Sequence, residues 1–368
     1  MRYNHDNRIV LTLDAGGTNF VFCAMQAEEQ IIDPITIQAR AASLEEVLNK
    51  IVTGFEEAKS KLTEEPVAIS FAFPGPADYH NGIIGDLQNL PTFRGGVALG
   101  PMLAEKFGIP TFINNDGDLF VYGEAIAGYL PEINKELEES GSPKRFKNLF
   151  GITLGTGFGA GLVINGMLYL GDNGSGVSIW ITRNKLHPDS YAEESVSIRA
   201  VRRVYAEYAG MTFDEAPEPK VICQIATGKA EGRVDAAREA WRQLGVAAGE
   251  SVADAINLAD ALVVIGGGLS GAYELFLPAL VDEMNKPLNK LNGESLCRME
   301  VQAFNLENTE QKALFLKEEA KMVMIPGTFH TIAYDPHKRT GIGVSRLGTS
   351  KAVAIGAYTF ALNELDKL

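Results

Sequence analysis

The chain has little cysteine and no long apolar run. Its three cysteines, Cys23, Cys223 and Cys297, are far apart in 368 residues and form no C-x-x-C pair, which argues against a disulfide framework or a thiolate metal site and fits a reducing cytoplasm. Residues 1–8 are polar and the apolar stretch after them is broken by Asp14, so neither a signal peptide nor the ~20-residue apolar span of a membrane helix is expected. Positive charge is scarce: 33 Lys and Arg stand against 47 Asp and Glu, a net charge of −14. Nucleic acid and anionic membrane are themselves negative, so neither is an expected partner. No G-x-x-x-x-G-K-[ST] occurs, because Gly228-Lys229 is followed by Ala230, and a P-loop is excluded.

Glycine is in excess, with 38 residues, about a tenth of the chain against an average of about 7%. A prior of about 150 residues per domain gives roughly two domains, and 46% apolar residues suffice for a core in each. Residues 9–13 form an apolar run ending in Asp14-Ala15-Gly16-Gly17-Thr18, with a second run at 20–25; strand, glycine turn and strand are expected. Ser43-Leu44-Glu45-Glu46 is a capping box, and Leu44, Val47, Leu48, Ile51 and Phe55 share one helical face. A buried strand at 67–73 stops at Pro74-Gly75-Pro76, followed by a helix at 99–107, a strand at 111–113 and a helix at about 119–127.

Residues 131–147 are charged and rich in breakers, which predicts an exposed helix and loop between lobes. A second strand, glycine turn and strand opens at 150–161 and runs into a hairpin over 162–170. A long Ala-rich helix at 234–257 leads to a strand at 261–265 that ends in Gly266-Gly267-Gly268, then a helix at about 271–284. Residues 295–340 read as strands and a short Lys/Glu helix, and 350–365 as a closing helix. The expected organisation is an N-terminal α/β lobe over 1–130, a C-terminal α/β lobe over 131–349, and a segment 350–368 packing back on the first lobe.

Glycine turns at strand ends bring backbone N–H groups close to an anion, because the missing Cβ permits close approach. Three such clusters, at 14–19, 155–159 and 266–270, are candidate phosphate contacts. The run 155–160 satisfies G-x-G-x-x-A, yet a strand and turn follow it where a dinucleotide fold needs a helix.

Asp14-Ala15-Gly16-Gly17-Thr18, Pro74-Gly75-Pro76-Ala77-Asp78, Ile113-Asn114-Asn115-Asp116-Gly117-Asp118 followed by Gly123-Glu124, Gly155-Thr156-Gly157 and Gly266-Gly267-Gly268 come in one order along the chain. That ordered set resembles the ROK family (repressor, open reading frame, kinase), over residues 9 to about 362. The resemblance implies an α/β actin-like ATPase (ribonuclease-H-like) fold, with two α/β lobes around a nucleotide cleft. It also implies ATP with Mg²⁺, a sugar as phosphoryl acceptor, and a homodimer. By family position Asp116 would be the general base and Asn115 would hold a neighbouring hydroxyl; taken alone, an Asn-Asp pair after a strand is a helix N-cap. Asp14 would position Mg²⁺, and Gly16, Gly17, Thr18, Asn19, Thr156 and Gly157 would line the phosphates. Gly266, Gly267, Gly268 and Leu269 would sit against the adenosine. Gly75, Asn89 and Glu193 would lie along the sugar.

The pattern breaks after the hairpin. Where the family carries Glu-x-Gly-His, the chain has Ser178 in place of the Glu and Ile181 in place of the His, and His187-Pro188-Asp189-Ser190-Tyr191-Ala192 follows where cysteines complete a zinc site. No structural zinc is expected. An active sugar kinase with altered acceptor specificity is the expectation; the alternatives are a noncatalytic sugar-sensing protein of the same family and a different actin-fold ATPase.

Overall fold

The computed structural model describes every residue except 1, 2, 16, 17, 88, 89, 318, 319 and 368. The chain divides into two compact units, one made of Met1–Gly128, Gly161–Val177 and Arg346–Leu368, the other of Tyr129–Ala160 and Ser178–Ser345. Among the described residues no helix is long and apolar enough to cross a membrane.

The first unit is built on a sheet in the order Glu29–Gln30, Asn19–Gln26, Val10–Ala15, Ala68–Ala72 and Thr111–Asn114, with Ile35–Gln38 also paired to Asn19–Gln26. Val10–Ala15 runs antiparallel to Asn19–Gln26 but parallel to Ala68–Ala72, which runs parallel to Thr111–Asn114. Both faces are covered, so these strands read as continuous apolar runs rather than alternating ones. Leu11, Leu13, Phe22, Ile69 and Phe71 face the Leu44–Ser60 helix, which buries Val47, Ile51, Phe55 and Ala58. Ser43 caps that helix by accepting the Glu46 N–H. Val10, Met25 and Ala68 join Tyr3 on the opposite face, under Ile355, Tyr358, Ala361 and Leu362 of the Thr349–Leu365 helix.

Two expectations need correction. The helix expected from about 119 begins at Asp116, as Asp116–Ile126, because Asn115 supplies a cap that makes the polar Asp-Gly-Asp stretch its first turn. The segment expected as an exposed helix and loop contains Tyr129–Glu139, which buries Tyr129, Leu130, Ile133 and Leu137; their spacing makes one apolar stripe beneath the charges.

In the second unit Leu149–Leu154, Leu262–Gly266, Arg339–Val344 and Gln302–Asn305 are neighbours in that order, all parallel. The helices Val234–Ala259 and Tyr273–Asn285 touch where Gly245 and Gly249 face the backbone of Phe276 and Leu280. Two further helices, Ile198–Ala209 and Pro219–Ala226, were not anticipated. The boundary between units falls inside the strand Phe158–Ile164, whose turn at Asn165 (φ 52°) and Gly166 (φ 77°) leads back into Met167–Leu168. Two consecutive positive φ values are the signature of a type I′ hairpin turn. A separate ribbon, Lys321–Met324 paired with Thr331–Tyr334, leaves Met322, Met324 and Ile332 exposed.

Candidate active site

In parallel α/β sheets, ligands sit beyond the carboxyl ends of the strands. The register of the first unit places Asp14, Ala72 and Asn114 level with one another at that end, so Asp14 and the Asn115-Asp116 step leave the sheet on the same side. Asn115 is the N-cap of Asp116–Ile126: the Gly117 N–H donates to Asn115 Oδ1 and to Asp116 Oδ1, each at 2.9 Å. Water reaches the Asp116 carboxyl, yet the surrounding protein raises its pKa by desolvation, with the Asp14 charge adding to the rise and the Gly117 N–H opposing it. Asp14 is likewise raised by desolvation. Two positions on, Asp118 is buried and its pKa is pushed up to about 8, by desolvation first and by Asp116 second.

Gly75 lies in the loop after Ala68–Ala72, and a Cβ there would come within 3.0 Å of the Tyr79 hydroxyl. That hydroxyl donates to the Phe73 carbonyl (3.0 Å) and accepts from Asn115 Nδ2 (3.3 Å). Tyr79, half-buried between the Gly75 loop and the Asn115 cap, was missed by the sequence reasoning, although it lies only three residues after Pro74-Gly75-Pro76. Thr18 is exposed and its carbonyl accepts the Ala39 N–H; Asn19 opens the next strand, also exposed. Gly16, Gly17 and Asn89 lie outside the described residues.

In the second unit, Thr156 is exposed at the tip of a turn closed by the Gly155 N–H to the Gly157 carbonyl, at 3.0 Å. Glu193 Oε2 accepts the Phe158 N–H at 3.0 Å, and Glu193 Oε1 faces the Arg199 guanidinium at 3.3 Å. A Cβ on Gly157 would press on Glu193 Oε2 at 2.8 Å. Glu193 therefore braces the glycine turn. Gly266 ends its strand level with Thr153. Gly267, at φ 85°, lies flat on the Leu154 backbone, where no side chain could fit, and the Leu269 N–H donates to the Leu154 carbonyl at 2.9 Å. Of this turn Gly268 is exposed and Leu269 is buried.

Ser178 precedes the short helical turn Ile179–Ile181, and Ile181 is exposed. The loop beyond it is organised by Asn184, which is 1% exposed. Its Nδ2 donates to the Tyr191 carbonyl and Ser195 Oγ, and its Oδ1 accepts the N–H groups of Leu186 and His187. One amide thus ties both ends of the loop that carries Glu193, while His187 is exposed. Among the described residues no group of three or more His, Cys, Asp or Glu is arranged to hold a metal by itself.

A model of the ROK family matches residues 10–314. A glucokinase of Thermotoga maritima is 26% identical over 299 residues, covering 75% of this chain and 86% of its own. Among solved structures, a glucokinase from Parabacteroides distasonis matches with a TM-score of 0.90 and 54% identity over 99% of both chains. A ROK family glucokinase from Streptomyces griseus, solved with glucose and AMPPNP, matches at a TM-score of 0.59 and 18% identity over 95% of this chain and 98% of its own, a likeness of fold alone. The fold is the two-lobed actin-like ATPase fold of the ROK sugar kinases, and the chain belongs to the ROK family.

Proposed function

We propose that the chain is an ATP-dependent sugar kinase with a hexose as acceptor, glucose being the first to try given its 54% identity to a glucokinase. The observation that carries the reading is the Asn115-Asp116 helix start, where an accessible carboxylate of raised pKa leaves the sheet on the same side as Asp14. Asp116 accepts the proton of the acceptor hydroxyl as its oxygen bonds to the γ-phosphorus, and the β–γ bridging oxygen leaves with ADP. The Asn115 amide and the Tyr79 hydroxyl orient the sugar beside Gly75. The turns around Thr18, Thr156 and Gly157 face the phosphates, and Gly266–Leu269 the adenosine. A single carboxylate, Asp14, suits Mg²⁺, which takes one or two carboxylates and completes its shell with phosphate oxygens and water; bound there it would offset phosphate charge. A cytoplasmic homodimer completes the reading.

The test couples ADP release to purified protein, Mg-ATP and a panel of glucose, mannose, N-acetylhexosamines and smaller polyols. Acceptor-dependent turnover supports it. Acceptor-independent ATP hydrolysis, or sugar-induced thermal stabilisation without turnover, overturns it.

Glu193 acts on the glycine turn through a loop held by Asn184, so Asn184→Ala is expected to lower stability by about 1–3 kcal/mol, read as a shift of the urea midpoint. It should raise KM for ATP more than KM for the sugar.

A further inference from the structure

We propose that the ribbon of Lys321–Met324 and Thr331–Tyr334 is an interaction arm whose partner is the same arm of a second copy of this chain. The arm lies outside residues 10–314, the stretch that the family model matches. Among the described residues no third strand joins its two, and all eight strand residues are exposed. A two-stranded ribbon is marginal in water unless something packs against it. Its base, in contrast, is fixed. The Arg339 side chain, fully buried, pairs with Asp335 at 2.8 Å and lies 5.7 Å from the centre of the Phe315 ring. Asp335 follows the second strand and Phe315 belongs to the helix Thr309–Leu316 before the first, so the arm is held out from a rigid foot.

The register sorts the arm's side chains. Val323 stands opposite Ile332 and Lys321 opposite Tyr334, so Val323, Ile332 and Tyr334 share one face while Met322 and Met324 take the other. Ile332 is 61% exposed, Met322 and Met324 are 64% and 65% exposed, and Phe329 at the tip is wholly so. The apolar area these side chains offer is of the order of the ~800 Å² that each side brings to a stable interface. Charge selects the partner. At −14 two copies repel over most of their surface, but residues 320–334 hold Lys321 and His330 and no Asp or Glu. The arm is therefore a place where copies meet without opposed carboxylates, and its own charge suits an acidic neighbour. A two-fold axis sets the Val323, Ile332 and Tyr334 face against its equal, apolar on apolar. The methionine face, whose thioethers adapt to irregular surfaces, lies on the partner's body. The inference rests on the homodimer of the proposed function and not on its kinase chemistry.

Sedimentation velocity of the full chain at micromolar concentration tests it, with Ile332→Asp and Ile332→Lys as variants. Wild type is expected to be a dimer. Each variant should self-associate at least tenfold more weakly, because like charges meet across the axis, and an equimolar mixture of the two should recover the dimer. Leu291→Asp, at an exposed apolar side chain outside the arm, is the control and should remain dimeric. A dimer that persists in both variants overturns the arm and leaves the homodimer reading standing, whereas a monomeric wild type overturns both. A mixture that stays monomeric overturns the contact of arm with arm, as does a monomeric wild type that floats with phosphatidylcholine vesicles through Ile332, which would make lipid the occupant. Loss of kinase turnover in an intact dimer overturns only the kinase reading.

Discussion

Asp116→Asn is expected to lower kcat by about 10²–10⁴-fold, the usual contribution of a positioned general base, with little change in KM for ATP. Asn keeps the shape and an oxygen for the Gly117 N–H, and the cap at Asn115 is untouched, so circular dichroism and melting should match wild type. The variant removes the capacity to take a proton and little else. The pH profile gives a second readout. The base works only when ionised, and desolvation together with the Asp14 charge raises the Asp116 pKa. Activity should therefore fall on acidification at a higher pH than an ordinary aspartate would give, and Asp14→Asn, by removing a neighbouring negative charge, should move that limb downward in whatever activity remains. A kcat within threefold of wild type in Asp116→Asn would show that another group takes the proton.

Gly123→Ala is expected to be among the most damaging single methyls in the first unit. Gly123 sits where Asp116–Ile126 crosses Thr349–Leu365, and a Cβ there would overlap the Ala352 carbonyl oxygen; across the contact, a Cβ on Gly356 would overlap the Leu119 carbonyl oxygen. Two helices approaching through reciprocal glycines leave backbone against backbone, with no flexible side chain to give way. Overpacking typically costs 1–3 kcal/mol, and here about 3 kcal/mol is expected, a large share of the ~5–15 kcal/mol that holds a protein folded. The loss appears as a lower urea midpoint. Gly271→Ala, whose Cβ would meet nothing, is the control, within about 0.5 kcal/mol of wild type. Because Asp116 opens the crossing helix, folded Gly123→Ala should also lose kcat.

Local chemistry was legible in the sequence. Apolar runs closed by glycine are strands in the structure, and the capping box at Ser43 starts a helix where expected. What escaped depends on contacts distant along the chain. The start of Asp116–Ile126 hides in a polar Asp-Gly-Asp stretch that becomes helical only because Asn115 caps it. Tyr79 meets Asn115 across 36 residues, and no period or motif marks that pairing. Asn184 looks like any loop asparagine until its burial and four partners are seen. The resemblance places Glu193 along the sugar; that its oxygens also accept from the Phe158 N–H and the Arg199 guanidinium is marked by no local pattern.

The packing of Thr349–Leu365 onto the first sheet has a consequence for biosynthesis. Tyr3, Val10, Met25 and Ala68 emerge from the ribosome early, but the residues that cover them, Ile355 to Leu362, are made last. At ~5–20 residues per second, the roughly two hundred residues between the end of the first unit's opening segment and its final one take about 10–40 s. Through that interval one face of the nascent sheet is bare, while most of the second unit is synthesised and can close first. The first unit, begun first, is therefore the last to have all its residues, and its uncovered sheet face is the apolar surface the nascent chain exposes in the meantime.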